Sequence, residues 1–591
     1  MTELFSPKSI GSLEIPNRIV MPAMTTRLAD AEGVVTDSTI AYFGARAAGG
    51  VGLVTVEMAS PERVGRHRFH ELGIYDDRFL PGLQRLTKAL HERGAKASIQ
   101  LGHAGGHTRE DICGEPPIAP SAVPHYVFEL TGATVTPTEM TQERIAETVR
   151  AFVAAAARAR AANFDCVELH VAHGYLLSQF LCPEENHRID EYGGSIANRA
   201  RISLEILRSI KQALPGFPVI FRLNADDYFP NGLMFKDSLQ VARWAAAEGA
   251  DALHVTAGHY RSLPSAHMMT PPMNSPEGIF LEYAARVKAE VAVPVIAVGR
   301  LGNPQLAMQA IDTGKADFIA LGRSLIADPQ WVAKARANLP VRRCLACNTC
   351  VDEMRGGAQL GCVVNPAAAR EPEYSNAAHP QGERIGIIGA GPAGLSYAEQ
   401  VAQGNSVTVF ERNGTPGGAL RHAGLAPRFQ GVEASQGSLD AFVDELERAC
   451  RARGVEFRYN TAVSDLSAIA ADFDRIVIAT GAKYRLGLGL LVVGLLESGW
   501  GKSGWMRALF DSPRVKNWFY YRARKSARPK LGKLKPENVV VIGDAASPGK
   551  TRDAIESAFK AALTPYVASC SELRPSQGIK GALMRLPPPD E

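Results

Sequence analysis

The chain has 591 residues, which is too long for a single hydrophobic core, so its length predicts two or three domains. Hydrophobic residues make up 46% and charged residues 21% of the sequence, which is typical of a soluble globular protein with enough apolar side chains for full cores. The 65 basic and 61 acidic residues leave a net charge of +4, which is too small to indicate nucleic acid as a partner.

Residues 1–340 contain eight short, β-branched apolar runs, each followed by a segment with a helical pattern. Runs that are apolar almost throughout are typical of parallel strands buried on both faces. Eight strand–helix repeats predict an α/β fold with a (β/α)8 TIM barrel, in which functional residues lie at the carboxyl ends of the strands. A doubly wound sheet is the alternative. The predicted strands are Arg18–Met24, Val51–Met58, Ala95–Leu101, Cys166–Ala172, Val219–Ala225, Ala252–Gly258, Pro294–Arg300 and Phe318–Ser324.

Polar residues and glycines at the ends of these strands predict a flavin mononucleotide (FMN) site. Glycine turns with a neighbouring arginine end the seventh and eighth strands, and their backbone amides suit a phosphate at the usual barrel position. An arginine in the fifth strand could balance an anionic ring, and a glutamine in the third offers a bidentate amide. Each residue alone has a structural alternative, since a buried arginine at a strand end is more often half of an ion pair. The candidates are Thr25, Gln100, Arg222, Gly299, Arg300, Gly322 and Arg323.

The fourth predicted strand ends in His170, His173 and Tyr175 and continues into a loop that contains Asp-Glu-Tyr-Gly-Gly-Ser. A lone histidine in this position would usually be a core residue with satisfied hydrogen bonds. Two histidines and a tyrosine where a strand enters a loop are more often functional. This segment is therefore the candidate catalytic centre.

The pattern His-x-x-His-x-Tyr and the loop Asp-Glu-Tyr-Gly-Gly-Ser-x-x-Asn-Arg resemble the old yellow enzyme group. The whole chain is similar to its larger relatives, the 2,4-dienoyl-CoA reductases and the trimethylamine-dehydrogenase-type proteins, which add an iron–sulfur segment and a second nucleotide-binding domain. The resemblance covers residues 1–482 and 537–565. It implies that the following residues contact FMN: Thr25, Gln100, Arg222, Gly322 and Arg323.

The same resemblance implies that Tyr175 donates a proton and that His170 and His173 hold the electron-withdrawing oxygen of the substrate. Hydride addition to an activated alkene builds negative charge on that oxygen, which imidazole donors stabilise, while a phenol supplies the proton. Dienoyl reductases carry a second catalytic histidine where this chain has His259, for which a surface role is the alternative. Amine dehydrogenases attach their flavin to a cysteine at the Thr25 position, so a covalent flavin is not expected.

Four of the nine cysteines follow the spacing C-x2-C-x2-C-x11-C within residues 341–383. Thiolates at this spacing suit a [4Fe–4S] cluster, and a four-cysteine zinc site is the alternative. Zinc sites usually pair two C-x2-C halves, so three bunched cysteines with one distant partner favour the cluster. Without a secretory signal, these cysteines also favour a reducing cytoplasm. The candidate ligands are Cys344, Cys347, Cys350 and Cys362.

Residues 384–481 and 537–571 are predicted to form a Rossmann-like domain that binds FAD, with ADP alone as the alternative. A G-x-G-x-x-G motif lies between a predicted strand and helix, and an acidic residue ends the next strand, where it suits a ribose hydroxyl. The resemblance implies that Asp544 binds the ribityl-phosphate region of FAD. The candidate residues are Gly389, Gly391, Gly394, Glu411 and Asp544.

The relatives insert an NAD(P)H-binding domain between these two parts, but residues 482–536 are too few for one and contain no glycine fingerprint. This segment is instead apolar, aromatic and basic, and its apolar run is too short to span a bilayer. Leu486–Lys530 is a candidate surface for an acidic redox protein or an anionic membrane. The alternative is that this segment only covers the FAD domain. The chain could also form a homo-oligomer.

Three functions fit these features. The leading hypothesis is reduction of the activated C=C bond of an α,β-unsaturated carbonyl compound, such as an enoyl- or dienoyl-CoA. The second is oxidative N-demethylation of a small methylated amine, with electrons passing through the cluster to a partner protein. That reaction would need a carboxylate or an aromatic bowl at the flavin, for which Asp226, Asp227 and Tyr228 are candidates. The third is an electron-transfer flavoprotein without an NAD(P)H site.

Overall fold

The computed structural model describes residues 2–127, 132–375, 381–484, 494–529 and 538–563. Eight parallel strands close into a barrel in which the last strand pairs with the first. All eight predicted strands are confirmed, and the doubly wound alternative is wrong. The barrel strands are β1 (Ile19–Met21), β2 (Leu53–Ala59), β3 (Lys96–Leu101), β4 (Cys166–Val171), β5 (Val219–Asn224), β6 (Ala252–Thr256), β7 (Val295–Ala297) and β8 (Phe318–Ala320).

Helices surround the barrel, and their amino ends follow ordinary capping rules. Thr141, for example, accepts a hydrogen bond from the backbone N–H of Arg144 and so satisfies one of the donors that the first helical turn leaves unpaired. The larger barrel helices are Asp37–Ala48, Leu80–His91, Gln142–Ala161, Leu176–Leu181, Ile196–Ala213, Phe235–Ala247, Leu263–Met269, Leu281–Lys288, Pro304–Asp312, Arg323–Ala327 and Trp331–Arg336.

An antiparallel hairpin of Lys8–Ile10 and Leu13–Ile15 precedes the barrel. Its buried Ile10 and Ile15 pack in one apolar cluster with the first residues of β2, β4 and β6. The hairpin therefore covers the amino-terminal end of the barrel. The opposite end, where the carboxyl ends of the strands meet, is where active sites lie in this fold.

The cysteine segment is attached to both neighbouring domains. On the barrel side, the Thr26 carbonyl accepts a hydrogen bond from the Leu360 N–H at 3.0 Å, and the Arg27 side chain donates to the Met354 carbonyl at 2.7 Å. On the other side, Cys347 belongs to the apolar core of the second domain. The segment contains the helix Thr349–Arg355 and is followed by the helix Glu371–Ser375.

The second domain is built on a parallel sheet of five strands. In spatial order the sheet runs β11–β10–β9–β12–β13, so the glycine loop after β9 lies at its centre. The strands are β9 (Arg384–Ile388), β10 (Ser406–Phe410), β11 (Glu456–Arg458), β12 (Arg475–Ile478) and β13 (Val539–Val541), and the main helices are Pro392–Val401, Gln436–Ala452 and Thr551–Leu563.

The segment that replaces the NAD(P)H domain contains the strand pair Ala482–Tyr484 and Arg524–Ser526 and the helices Gly504–Asp511 and Pro513–Asn517. Most of its apolar run lies outside the described residues. Among the residues that are described, no helix is both long enough and apolar enough to cross a membrane. Docking of a redox protein or a membrane on Leu486–Lys530 stays a prediction, as does oligomerisation.

Candidate flavin and proton-transfer site

The turn after β4 brings His170, His173 and Tyr175 together. His173 has a left-handed backbone (φ 67°), and its N–H donates to the Asn224 side-chain oxygen at 3.3 Å. Tyr175 then begins the helix Leu176–Leu181. The ring centroid of His170 lies 5.1 Å from that of His173 and 5.0 Å from that of Tyr175. The three predicted catalytic side chains therefore share one end of the barrel.

The Tyr175 phenol is buried, and its hydroxyl oxygen lies 3.0 Å from Nδ1 of His67. Burial raises the pKa of Tyr175 well above its ordinary value, because the phenolate would lose its hydration. The phenol is therefore protonated across the physiological pH range. This is the protonation state that a general acid requires.

His170 and His173 are held as neutral imidazoles. Burial, together with the positive charge of Arg222, lowers the pKa of both well below its ordinary value. Nε2 of His173 lies 3.0 Å from the Thr256 hydroxyl. Nδ1 of His170 has no hydrogen-bond partner among the described residues. Each ring can thus carry one N–H donor without the cost of a buried charge.

A buried polar network forms the floor beneath these rings. Glu168 accepts a hydrogen bond from the Gln100 side chain at 2.7 Å and lies 2.6 Å from Nδ1 of His254. Arg222 approaches the same carboxylate at 3.7 Å. Burial alone would raise the pKa of Glu168, but His254 and Arg222 outweigh it and lower that pKa to about 2.

Two buried nitrogens of this floor, the Nε donor of Arg222 and Nε2 of His254, have no partner among the described residues. Buried polar atoms are normally hydrogen-bonded, so such atoms indicate where a ligand completes the network. An arginine and the Gln100 amide on one floor fit the polar edge of a flavin ring. Thr25 is half-buried just after β1, next to Thr26, whose N–H donates to Glu57 at 2.7 Å.

The predicted phosphate residues lie at the ends of β7 and β8. Gly299 has φ 113°, and an added Cβ there would meet the Phe280 ring at 2.7 Å, so this turn needs glycine. Gly322 begins the helix Arg323–Ala327. Arg300 donates to two backbone carbonyls, and Arg323 donates to the Asn348 side chain of the cysteine segment. Their role at a phosphate stays a prediction.

His259 is fully buried and packs beneath Gly174, where an added Cβ would lie 2.6 Å from the imidazole. Its Nε2 lies 3.3 Å from a Glu185 oxygen, and Cys182 completes a group whose ligand atoms lie within 4.8 Å of one another. A metal on Nε2 would require Nδ1 to carry the proton. Nδ1 instead accepts the backbone N–H of Arg261 at 3.0 Å, which disfavours a metal here. A catalytic role of His259 stays a prediction.

The four predicted cluster ligands line one cavity of about 300 Å³, its open mouth included. Burial and the neighbouring thiols Cys344 and Cys347 raise the pKa of Cys362 to about 12. Tetrahedral zinc would hold four sulfurs about 3.8 Å apart, since Zn–S bonds are about 2.3 Å. No three of the four thiol sulfurs, all of which are in the described part of the chain, lie within 4.8 Å of one another, so zinc would require them to move closer together.

The glycine loop of the second domain has the geometry of a nucleotide site. Gly389 has φ 106°, an added Cβ at Gly394 would lie 2.0 Å from the Gly389 carbonyl, and no atom lies within 4 Å of the Cβ position at Gly391. The loop therefore fits a closely approaching pyrophosphate. The Glu411 carboxylate accepts the Ala390 N–H at 2.9 Å, which fixes the loop to the end of β10.

Asp544, predicted to contact the flavin half of FAD, already has protein partners on both oxygens. Arg524 of the replacement segment donates to one oxygen at 2.7 Å, and the Gly549 N–H donates to the other at 2.9 Å. A flavin hydroxyl at Asp544 would have to share the carboxylate with Arg524 and the Gly549 N–H. The glycine loop thus leaves room for a nucleotide, while the predicted flavin contact already carries hydrogen bonds from the protein.

A family model for the NADH:flavin oxidoreductase / NADH oxidase family matches residues 3–342. The chain belongs to this family. A second model, for pyridine nucleotide-disulphide oxidoreductases, matches residues 383–546. The resemblance to the old yellow enzyme group is confirmed, and so is the fold class, a TIM barrel followed by a Rossmann-like domain. This NADH:flavin oxidoreductase family member is an FMN-dependent oxidoreductase whose second domain is of the type that binds FAD or NAD.

Curated relatives support the assignment over most of the chain. An NADH oxidase of Thermoanaerobacter brockii is 38% identical over 91% of this chain and 79% of its own length. A cinnamate reductase of Clostridium sporogenes is 34% identical over 82% of this chain and 74% of its own. A solved 2-naphthoyl-CoA reductase, 23% identical, superposes with a TM-score of 0.82 over 96% of this chain and all of its own, which shows the shared fold.

Sequence reasoning missed several residues of this family member's site. His254 and Glu168 were detectable, because each is a polar residue within an otherwise apolar buried strand. His67 and Tyr260 lie in irregular loops with no readable motif. Their contacts with Tyr175 become apparent only in the folded structure.

Proposed function

We propose that this flavoprotein reduces the activated C=C bond of an α,β-unsaturated carbonyl compound. The observation that carries the proposal is the Tyr175 phenol, buried, protonated and flanked by the neutral imidazoles of His170 and His173. The cinnamate reductase among the relatives, named for reduction of a conjugated acid, adds support from sequence. The substrate class remains part of the proposal.

The side chains divide the reaction between them. FMN, held by Gln100 and Arg222 among others, would when bound provide the hydride that the β-carbon of the substrate accepts. His170 and His173 donate hydrogen bonds to the carbonyl oxygen as negative charge develops on it, and their burial strengthens that interaction. Tyr175 gives its proton to the α-carbon. Gln100 and Arg222 orient the ring system from below.

The four cysteines are proposed to hold a [4Fe–4S] cluster. Their spacing in sequence, their common cavity and their separation beyond that of zinc ligands support this assignment. The hydrogen bond from the Leu360 N–H to the Thr26 carbonyl, next to the predicted flavin contact Thr25, supports an exchange of electrons between the cluster and the flavin. Electrons could therefore enter or leave the barrel through the cluster, toward a nucleotide in the second domain.

The three residues that are candidates for the amine reaction do not support it in the same way. Asp227 accepts hydrogen bonds from the Asn224 side chain and the Leu233 N–H, and Asp226 accepts from the Tyr228 N–H. The Tyr228 ring packs toward Phe280. These side chains stabilise the loop after β5. They therefore do not form the carboxylate or the aromatic bowl that is expected for an amine dehydrogenase.

The direction of the reaction can be tested on the anaerobic protein. Dithionite-reduced protein is mixed with 2-cyclohexen-1-one, cinnamate or cinnamoyl-CoA, and oxidised protein is mixed with dimethylamine or trimethylamine. We expect at least one conjugated substrate to reoxidise the flavin and neither amine to reduce it. Reduction by an amine, with no reoxidation by any of the three conjugated compounds, would contradict the proposal.

A further inference from the structure

Two residues outside every predicted motif, His67 and Tyr260, enclose the Tyr175 phenol. His67 lies after β2, and its Nδ1 is 3.0 Å from the Tyr175 hydroxyl oxygen. Tyr260 lies after β6, its ring stands edge-on to that of Tyr175 at 5.6 Å between centroids, and the two side chains interact so that the pKa of Tyr175 is raised and that of Tyr260 is lowered. The phenol that the proposed reaction deprotonates therefore has two protein partners.

Tyr260 is set among cations. Its ring stacks on His107 at 4.1 Å, its hydroxyl accepts from an Arg68 nitrogen at 3.4 Å, and the Arg355 guanidinium lies 5.7 Å from its ring centre. Burial would raise the pKa of Tyr260, but Arg68 and Arg355 outweigh it and lower that pKa. The pKa of Tyr175 is raised, and these opposite directions favour proton transfer from Tyr260 to a Tyr175 phenolate rather than the reverse.

His67 is suited to hold the phenol rather than to exchange protons with it. Burial and the neighbouring Arg68 lower its pKa well below the ordinary value, so the ring is neutral. Its backbone N–H donates to a Glu71 oxygen at 2.8 Å, which fixes the loop. With the ring proton on Nδ1, His67 donates to the Tyr175 oxygen and leaves the phenol hydrogen directed elsewhere.

We propose that Tyr260 resupplies the proton that Tyr175 gives to the substrate, and that His67 positions Tyr175 for both transfers. The Tyr175 O–H bond breaks as the new C–H bond forms. It forms again with the proton of Tyr260, whose phenolate rests beside Arg68 and Arg355. Tyr260 then takes a proton from solvent. This inference rests on the proposed enone reduction and assigns Tyr260 a role in that reaction.

The test separates the first turnover from later ones. Wild type, Tyr260→Phe and the control Tyr192→Phe, whose hydroxyl donates to Glu205 instead, are reduced with dithionite and mixed anaerobically with a conjugated substrate that reoxidises the wild type. Phenylalanine keeps the ring on His107, and flavin content checks that the variant is folded. We expect Tyr260→Phe to keep the first-turnover rate within about twofold, because Tyr175 starts protonated.

With dithionite in excess, we expect steady turnover of Tyr260→Phe to fall about tenfold and to gain a solvent deuterium isotope effect. Tyr192→Phe should match the wild type in both phases. Equal rates of Tyr260→Phe and wild type in both phases, or an equal loss in both phases, would overturn the relay. Failure of the wild type itself with every conjugated substrate would sink the proposed function, and the relay with it.

Discussion

The mouth of the barrel and the nucleotide site of the second domain hold their polar groups in different ways. In the barrel, buried side-chain nitrogens of Arg222 and His254 have no partner in the described part of the chain. In the second domain, Asp544 and Glu411 each accept hydrogen bonds from the protein on both carboxylate oxygens. The barrel mouth thus has polar atoms available for a ligand, whereas the predicted flavin contact of the second domain, Asp544, is hydrogen-bonded by the protein.

A nucleotide-binding motif in the sequence therefore does not by itself show that the binding site is open. The second domain contains the glycine motif of a nucleotide site. However, Arg524, from residues 482–536, forms an ion pair with Asp544 of that domain. Hydrogen bonds from the Thr480 hydroxyl to the Ala527 carbonyl and from the Arg528 side chain to the Ala545 carbonyl hold that segment against the domain. We therefore expect tight FMN binding in the barrel and weaker FAD binding beyond it.

The largest expected effect is the loss of the proposed [4Fe–4S] cluster between the two domains. We expect Cys350→Ser to abolish iron binding, because a buried hydroxyl cannot replace a thiolate ligand. Iron and sulfide analysis should give about four irons per chain in anaerobically purified wild type and close to none in the variant. The control is Cys113→Ser, whose sulfur only donates to two backbone carbonyls. Equal iron in all three proteins would exclude the assigned ligands.

The next effect concerns the barrel floor. We expect Arg222→Met to weaken FMN binding about 10- to 100-fold, since a hydrogen bond from a charged group is worth about 1.5–3 kcal/mol. Dialysis followed by fluorimetric FMN titration measures the change. Arg208→Met, which removes an exposed arginine paired with Glu248, serves as the control and should leave binding unchanged. An unchanged FMN affinity in Arg222→Met would place the flavin elsewhere.

A smaller effect is expected in the second domain. Arg524→Ala should raise FAD affinity several-fold, because it removes the partner of Asp544. The exposed neighbour Arg522 offers the control variant Arg522→Ala. FAD titration of the purified proteins, with FMN content measured in parallel, distinguishes the sites. A fall in FAD affinity would mean that Arg524 contacts the nucleotide rather than closing its site.

The smallest expected effect is that of pH on the proposed proton transfer. A raised pKa keeps Tyr175 protonated as pH rises, and lowered pKa values keep His170 and His173 neutral as pH falls. The rate of flavin reoxidation by a conjugated substrate should thus vary little between about pH 6 and 9. Stopped-flow traces in buffers of constant ionic strength measure it. A titration centred within that range would reject these protonation states.

The fold could be predicted from the sequence because its signals are local. Each buried strand of the barrel is an apolar run that needs no distant information. The cysteine spacing and the turn after β4 are likewise short motifs. The contact of Tyr175 with His67 joins residues 108 positions apart and depends on closure of the barrel. The Arg524 contact could not be predicted either, since an arginine in a basic segment gives no indication of its partner.

The central claim is that Tyr175 is the proton donor to a conjugated substrate, and Tyr175→Phe tests it most directly. Dithionite-reduced wild type and variant are mixed anaerobically with the same conjugated substrate, and flavin reoxidation is followed in a single turnover. We predict a loss of about 100-fold or more in the variant, with FMN content and reduction by dithionite unchanged. Reoxidation at the wild-type rate would contradict the claim.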